Sequence, residues 1–159
     1  MNKFGVGFGY DVHQLVPGRD LIIGGVSINY HKGALGHSDA DVLLHALADA
    51  LLGAASMGDI GTHFSDTDPK FKDFDSKLIL KEVLIMIRDT GFQINNVDST
   101  VVLQEPKIQD HIPEMKSVIA SILDMDLNNV SVKATTTEHM GYIGNNEGLA
   151  AFAIVSIIG

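Results

Sequence analysis

The sequence predicts an α+β (α/β) fold: a single domain over residues 1–159, with one mixed β-sheet covered by helices. Three observations carry that expectation. Phe4 to Val12 alternates glycine with bulky side chains, and Val130 to Ala134 alternates again, the two-residue period of a strand. Stretches near 38–53, 77–90 and 114–124 carry apolar residues at helical spacing behind capping residues. Strands and helices follow one another through short connections, with no repeat or low-complexity tract between them. A chain of 159 residues that is 45% hydrophobic suits one sizeable core and is too apolar for disorder.

Taken in order, Gly5, Gly7 and Gly9 leave one face of the first strand bare, which suits close approach by another element or subunit. The strand runs on through Asp11-Val12-His13, and residues two apart share a face, so Asp11 and His13 point the same way. Pro17-Gly18 is a turn. Leu21–Ile23 and Val26–Ile28 flank Gly24-Gly25 as a hairpin. Residues 33–36 loop into a central helix that stops near Gly53 to Gly58. There Ser38 reads as the N-cap, with Asp41 three residues on in a capping-box-like place. Leu43, Leu44, Leu47, Leu51, Leu52 and several alanines make this helix apolar nearly all round. One stripe differs: Asp41, His45 and Asp49, four apart, present an imidazole between two carboxylates.

Residues 59–61 and 64–69 form a long polar loop. It reads equally as Asx-turn chemistry around an Asp-Pro start and as a substrate-facing loop. Asp75-Ser76 caps a helix over 77–90 with Leu78, Leu80, Val83, Leu84 and Ile87 as core residues, and Gly91 ends it. A strand follows over 92–103, kinked or bulged at Asn95-Asn96. Pro106 and Pro113 bracket a loop, and a helix over 114–124 buries Met115, Val118, Ile119 and Ile122. The strand at 130–134 leads into Thr135-Thr136-Thr137-Glu138. Residues 142–148 are a Gly/Asn loop, and Leu149 to Ile158 is a buried final strand.

A net charge of −9 with only 11 Lys and Arg argues against nucleic acid and anionic membrane surfaces. Phosphates remain possible ligands if metal ions and backbone N–H groups supply the positive field. The absence of Cys excludes disulfides and thiolate metal sites, so any metal is held by His, Asp and Glu. No signal-peptide pattern precedes the first strand, and the apolar run at 149–158 is too short to span a bilayer. A cytoplasmic protein is expected, or an organellar one if a transit peptide was removed.

Asp11, His13 and His45 make an N/N/O donor set. Three protein ligands leave a fourth tetrahedral position open, the way catalytic zinc is held. Asp41 or Asp49 is placed to orient the His45 ring. His37 stands where a helix N-terminus receives an anion. Thr135 to Glu138 is either an ordinary strand edge or a phosphate cradle, with Glu138 taking a hard cation such as Mg²⁺. Two cations would suit phosphoryl transfer. His31, His63, His111 and His139 are expected to be exposed or locally hydrogen-bonded.

These pieces become specific together. Gly-Tyr-Asp-Val-His (9–13), Ile-Gly-Gly-Val (23–26), His-Ser-Asp-Ala-Asp-Val (37–42), Leu-His-Ala-Leu (44–47), Gly-Asp-Ile-Gly (58–61), Phe-Ser-Asp-Thr-Asp-Pro (64–69), Asn-Val-Asp (96–98), Pro-Lys (106–107), His-Ile-Pro (111–113), Lys-Ala-Thr-Thr-Thr-Glu (133–138) and Glu-Gly (147–148) span nearly the whole chain. In that order they resemble the 2-C-methyl-D-erythritol 2,4-cyclodiphosphate synthase family of the non-mevalonate isoprenoid route. The resemblance implies a homotrimer around a threefold axis, with each active site between neighbouring subunits. It implies a CDP-linked substrate whose 2-phosphate attacks the β-phosphorus and releases CMP. It places Zn²⁺ on Asp11, His13 and His45, transition-state stabilisation on His37 and Thr136, and a second cation, Mg²⁺ or Mn²⁺, on Glu138.

The resemblance further implies a methylerythritol loop formed by Asp59, Ile60 and Gly61 with Phe64, Ser65, Asp66, Thr67 and Asp68. A cytidine pocket would be formed by Leu103, Gln104, Glu105, Pro106, Lys107, Ile108 and Gln109 with Thr135, Thr136, Thr137 and Glu138. Ser38, Tyr142 and Asn145 complete the implied substrate contacts. Two positions depart from the pattern. Relatives often carry Arg where Asn145 stands, near the mouth of the trimer's central cavity, so an anionic isoprenoid ligand of that cavity is not carried over. Glu105 replaces what is often a small residue. Against this reading stand a phosphohydrolase using metal-bound water at the same ligands and a non-catalytic binding trimer. No residue offers itself as a dedicated hydrolytic base, and a binding module has no use for Glu138 and a threonine run beside a three-ligand site.

Overall fold

The computed structural model describes residues 3–36, 38–64 and 75–159. The glycine-alternating start folds as strand β1 (Phe4–Pro17), longer than its sequence pattern suggests. It pairs antiparallel with the last strand, β7 (Gly148–Ile158), from Phe4↔Ile158 to Gln14↔Gly148. On its other side β7 pairs antiparallel with β5 (Gln93–Val102), and the bulge between Ile94 and Asn96 falls where the Asn pair predicts it. Strand β6 (Val130–Thr135) adds the parallel edge. The hairpin is present as β2 (Leu21–Ile23) and β3 (Val26–Ile28), with Gly24 and Gly25 at φ +61° and +74°, the conformation a two-residue turn of this hand requires.

Residues 33–36, read from sequence as a loop, instead contain a short strand. Beyond the end of β7, Leu15–Pro17 takes β4 (Lys32–Ala34) as its antiparallel partner. The sheet order is therefore β4-β1-β7-β5-β6, mixed as expected. Three residues around a glycine carry no side-chain periodicity, so this pairing of backbone groups leaves no pattern in the sequence.

Helix α1 (Val42–Ala54) is buried nearly all round, as its composition predicts. A four-residue turn of helix, α2 (Ile60–His63), follows in what the sequence reads as loop. Next come α3 (Ser76–Asp89), α4 (Ile112–Leu123) and the single turn α5 (Gly141–Gly144). Leu80, Val83, Leu84 and Ile87 join the core, but Leu78 is exposed. Val118 and Ile122 are only partly buried. Among the described residues, no helix is long and apolar enough to cross a membrane.

The bare glycine face of β1 explains where α1 sits. A methyl group at Gly9 would meet the Ala46 carbonyl oxygen and lie 2.8 Å from the Ala50 nitrogen. One at Gly7 would meet Ala50 in the same way, and one at Gly5 would meet the Ala54 carbonyl at 2.5 Å. Two strand residues, about 6.7 Å, thus match four helix residues, about 6 Å, and α1 runs along β1 backbone against backbone. The opposite face of β1 presents Phe4, Val6, Phe8, Tyr10 and Val12 to solvent. Phe152 and Ile154 of β7 extend it, so the final strand is buried on one face only, a correction to the sequence reading. Gly9→Ala should destabilise the protein by about 2–3 kcal/mol or more, because neither backbone can yield. Gly53→Ala, in α1 with nothing within 4 Å of the new methyl, should stabilise by about 0.5–1 kcal/mol. Urea midpoints of both variants check the pair; a Gly9→Ala protein as stable as its parent would refute the contact.

Candidate metal and substrate site

The alternation that turns glycines toward α1 turns Asp11 and His13 the same way. His45 stands in the first turns of α1, one residue before the alanine whose carbonyl rests on Gly9. The three side chains converge. Asp11 Oδ2 lies 2.9 Å from His13 Nε2 and 3.0 Å from His45 Nδ1, and the two ring nitrogens are 3.3 Å apart. Among the described residues this is the group of His, Asp and Glu side chains able to share an ion. A tetrahedral ion with bonds of about 2.0–2.1 Å holds its ligand atoms about 3.4 Å apart, so the donor set fits a divalent metal with little adjustment.

The outer nitrogen of each imidazole is occupied elsewhere. His13 Nδ1 is 3.1 Å from the Leu35 carbonyl oxygen, which can only accept, so that nitrogen carries the proton. His45 Nε2 is 2.8 Å from Ser76 Oγ and 3.5 Å from Ser38 Oγ. Neither Asp41 nor Asp49 orients the ring, contrary to the sequence reading. Helix α1 begins at Val42, so Asp41 is its N-cap rather than a residue of its polar stripe, and Ser38 is not the cap. The buried Asp41 carboxylate accepts from Leu43 N and Leu44 N at 3.1 Å each, and from Gly24 N and Gly25 N of the hairpin turn at 2.9 and 2.6 Å. Asp49 accepts from Ile60 N at 2.8 Å and ties α2 to α1. Ser38 Oγ accepts from Ala40 N, and Arg19 holds the Ser38 carbonyl at 2.9 Å.

Burial is the strongest single influence on Asp11 and raises its pKa. The hydrogen bonds and charges of His13 and His45 together outweigh it and hold the carboxyl at about 2. Burial also acts most strongly on His45, downward, yet the bond to Asp11 and the charges of Asp11, Asp41 and Asp39 leave its pKa raised. An ionised carboxylate thus sits against the His45 imidazole and favours its protonated form, and a divalent cation would replace that proton.

The remaining candidate residues divide between two cavities. Asp11, His13, Ser38, His45, Asp49, Asp59, Ile60, Gly61 and Phe64 line an open cleft of about 610 Å³. Leu103, Gln104, Pro106, Lys107, Ile108, Gln109, Thr135 and Thr136 line a second one of about 210 Å³. No lining residue is common to the two. Five candidate positions, His37, Ser65, Asp66, Thr67 and Asp68, lie outside the described residues. Thr137 Oγ1 donates to the Met140 carbonyl, and the exposed Glu138 donates its N–H to Thr136 Oγ1 at 3.2 Å. Glu138 and His139 both adopt left-handed backbone, φ 52° and 61°, uncommon for residues other than glycine, and His139 N is held by Gln104 Oε1 at 3.0 Å. Tyr142 meets Tyr10 hydroxyl to hydroxyl at 3.4 Å, and Asn145 caps α5, exposed. Glu105 sits beside Tyr30, whose pKa burial and that carboxylate raise. His31 and His139 are exposed, and His63 bonds the Met57 carbonyl, as expected. Sequence reasoning missed Leu35, Asp39 and Ser76 around the imidazoles. Asp39 and Ser76 were legible only as cap-type residues.

Fold and donor set together define an α+β protein with three converging side chains able to hold a metal ion beside a cleft. The YgbB family model matches residues 4–158, and the chain belongs to the YgbB family. It is 57% identical over 155 residues to the 2-C-methyl-D-erythritol 2,4-cyclodiphosphate synthase of Burkholderia mallei (strain SAVP1), covering 98% of this chain and 96% of that one. The fold matches the bifunctional IspDF from Campylobacter jejuni with a TM-score of 0.95 at 44% identity, covering 99% of this chain and 43% of that longer protein. It also matches IspF of Plasmodium falciparum in its CDP complex, with a TM-score of 0.87 at 33% identity over 99% of this chain and 97% of that one.

The four N–H donors favour an ionised Asp41, but burial pushes its carboxyl up to about 6. An unfolded Asp titrates near 3.9, so the fold favours the protonated form. This group's contribution to stability is therefore greatest below about pH 4 and declines as the pH rises toward 6. The parent should lose stability relative to Asp41→Asn across that window, read from urea midpoints of both at each pH. Parallel curves would mean that Asp41 keeps an ordinary carboxylate pKa in the folded protein.

Proposed function

We propose that this protein is a phosphorus–oxygen lyase of non-mevalonate isoprenoid precursor biosynthesis. The 2-phosphate of 4-diphosphocytidyl-2-C-methyl-D-erythritol 2-phosphate attacks the β-phosphorus, the bond to the α-phosphate breaks, CMP leaves and 2-C-methyl-D-erythritol 2,4-cyclodiphosphate forms. The observation that carries this reading is the convergence of Asp11, His13 and His45 beside the cleft, in a chain 57% identical to a relative of that activity.

Nucleophile and electrophile belong to one molecule, so no protein nucleophile is required. What the chain supplies is a folded-back substrate and compensation of charge between phosphates. Zn²⁺ held by Asp11, His13 and His45, and Mg²⁺ or Mn²⁺ held by Glu138, would add positive charge at the phosphate oxygens. His37 stabilises the attacking phosphate and Thr136 the transition state. The left-handed turn at Glu138 and His139 supports the second role, since it leaves Thr136 exposed with its hydroxyl 3.4 Å from Glu138 Oε1. Asp59, Ile60, Gly61 and Phe64, with residues 65–68, take the methylerythritol. The smaller cavity, with Lys107 at its rim, takes the cytidine.

One chain offers two half-sites, and a homotrimer that apposes the cleft of one copy to the nucleotide cavity of the next would complete the site. The solvent-facing row of Phe4, Val6, Phe8, Phe152 and Ile154 supports that assembly, because a contiguous apolar sheet face of this kind marks an interface.

Incubation with the CDP-linked substrate and Mg²⁺, followed by phosphorus NMR, tests the activity. The expected products are the cyclic diphosphate and CMP; an open-chain phosphate would mean hydrolysis, and no turnover a binding protein. His45→Ala should lose bound zinc and turnover while melting within a few degrees of the parent. Retained activity without metal would count directly against the site. Sedimentation equilibrium should give three times the chain mass, and a monomer would remove the shared-site arrangement.

A further inference from the structure

Ser76 and Asp39 have no part in the chemistry above, yet they touch the metal site. Ser76, the first residue of α3, is 1% exposed. Its Oγ lies 2.8 Å from His45 Nε2 and donates a short hydrogen bond to Asp39 Oδ1. Its backbone N–H donates to Asp39 Oδ2 at 3.3 Å, and Asp39 Oδ1 also accepts from Asp41 N at 3.3 Å. The Asp39 carboxylate is thus held by the starts of two helices.

A serine hydroxyl has one proton to give, and an ionised carboxylate can only accept. With the Ser76 proton committed to Asp39, Ser76 Oγ can meet His45 Nε2 only as an acceptor. Nε2 must then carry a proton, so once a cation displaces the proton shared by Nδ1 and Asp11 Oδ2, it is Nδ1, facing Asp11 and His13 Nε2, that offers its lone pair. We propose that Asp39 and Ser76 are positioning residues that fix the tautomer and orientation of His45 through a carboxylate–hydroxyl–imidazole relay, and so set the affinity of the Asp11/His13/His45 site for a divalent metal. His13 needs no such relay, because the Leu35 carbonyl orients its ring directly. The relay rests on the metal-site reading above. It makes metal affinity depend on the start of α3, an element that contributes no ligand. Outer partners of this kind are worth about 10- to 100-fold in metal affinity.

The test is zinc titration of metal-free protein against a chromophoric chelator, for the parent, Ser76→Ala and Asp39→Asn. Asp39→Asn is the sharper variant, because an amide can donate to Ser76 Oγ and free the hydroxyl proton to point at Nε2. Both variants should bind zinc about 10- to 100-fold more weakly, while the metal-free proteins melt within a few degrees of the parent. In zinc-loaded, ¹⁵N-histidine-labelled parent, His45 should show a protonated Nε2 whose proton exchanges slowly with solvent, and Ser76→Ala should lose that protection. Unchanged zinc affinity in either variant overturns the relay, as does a loss of affinity accompanied by a comparable loss of metal-free stability. A parent that binds no zinc would instead overturn the metal site itself.

Discussion

Everything in the site depends on the close approach of α1 to β1. Three glycines at two-residue spacing remove the side chains that would hold the helix off, and the carbonyls of Ala46, Ala50 and Ala54 settle on the bare strand. The contact fixes the sliding register of helix against strand. Because the strand keeps its period of two, the next inward residues after Gly9 are Asp11 and His13. Because the helix keeps its register, His45 arrives opposite them. The Asp11/His13/His45 cluster is therefore the continuation of a packing interface. A site held by strand and helix backbones is more sharply defined than one built on loops.

A second constraint anchors the beginning of α1. Asp41 is fully buried, a costly place for a carboxylate, and is offset by four backbone N–H donors. Two come from the first turn of α1 and two from the Gly24-Gly25 turn, whose positive φ values aim both N–H groups at one acceptor. This single side chain joins the small hairpin to the central helix. It also explains why the helix starts at Val42 and not earlier. Asp39, two residues before, is free to reach Ser76 because the segment ahead of Asp41 is not helical.

The two cavities are built differently. The cleft beside Asp11, His13 and His45 lies against β1, whereas the cavity between residues 103–109 and 134–136 lies at the β5 and β6 side of the sheet. Gln104, which lines the second cavity, holds the His139 amide, and Glu105 leans on Tyr30. That contact gives Glu105 a local partner.

The sequence by itself determined the alternating strands, the three long helices, the bulge near Asn95 and the donor types Asp11, His13 and His45. These follow from local periodicity and residue chemistry, which neighbours along the chain express without help. Tertiary structure alone decided the rest. It made Asp41 a cap shared with a hairpin instead of a partner for His45, paired Lys32–Ala34 with the end of β1, turned Leu78 outward, and gave His45 its true neighbours in Ser76 and Asp39. Apart from Leu78, these join residues well separated along the chain through backbone groups or a single hydroxyl, and such groups leave no periodic trace in a sequence.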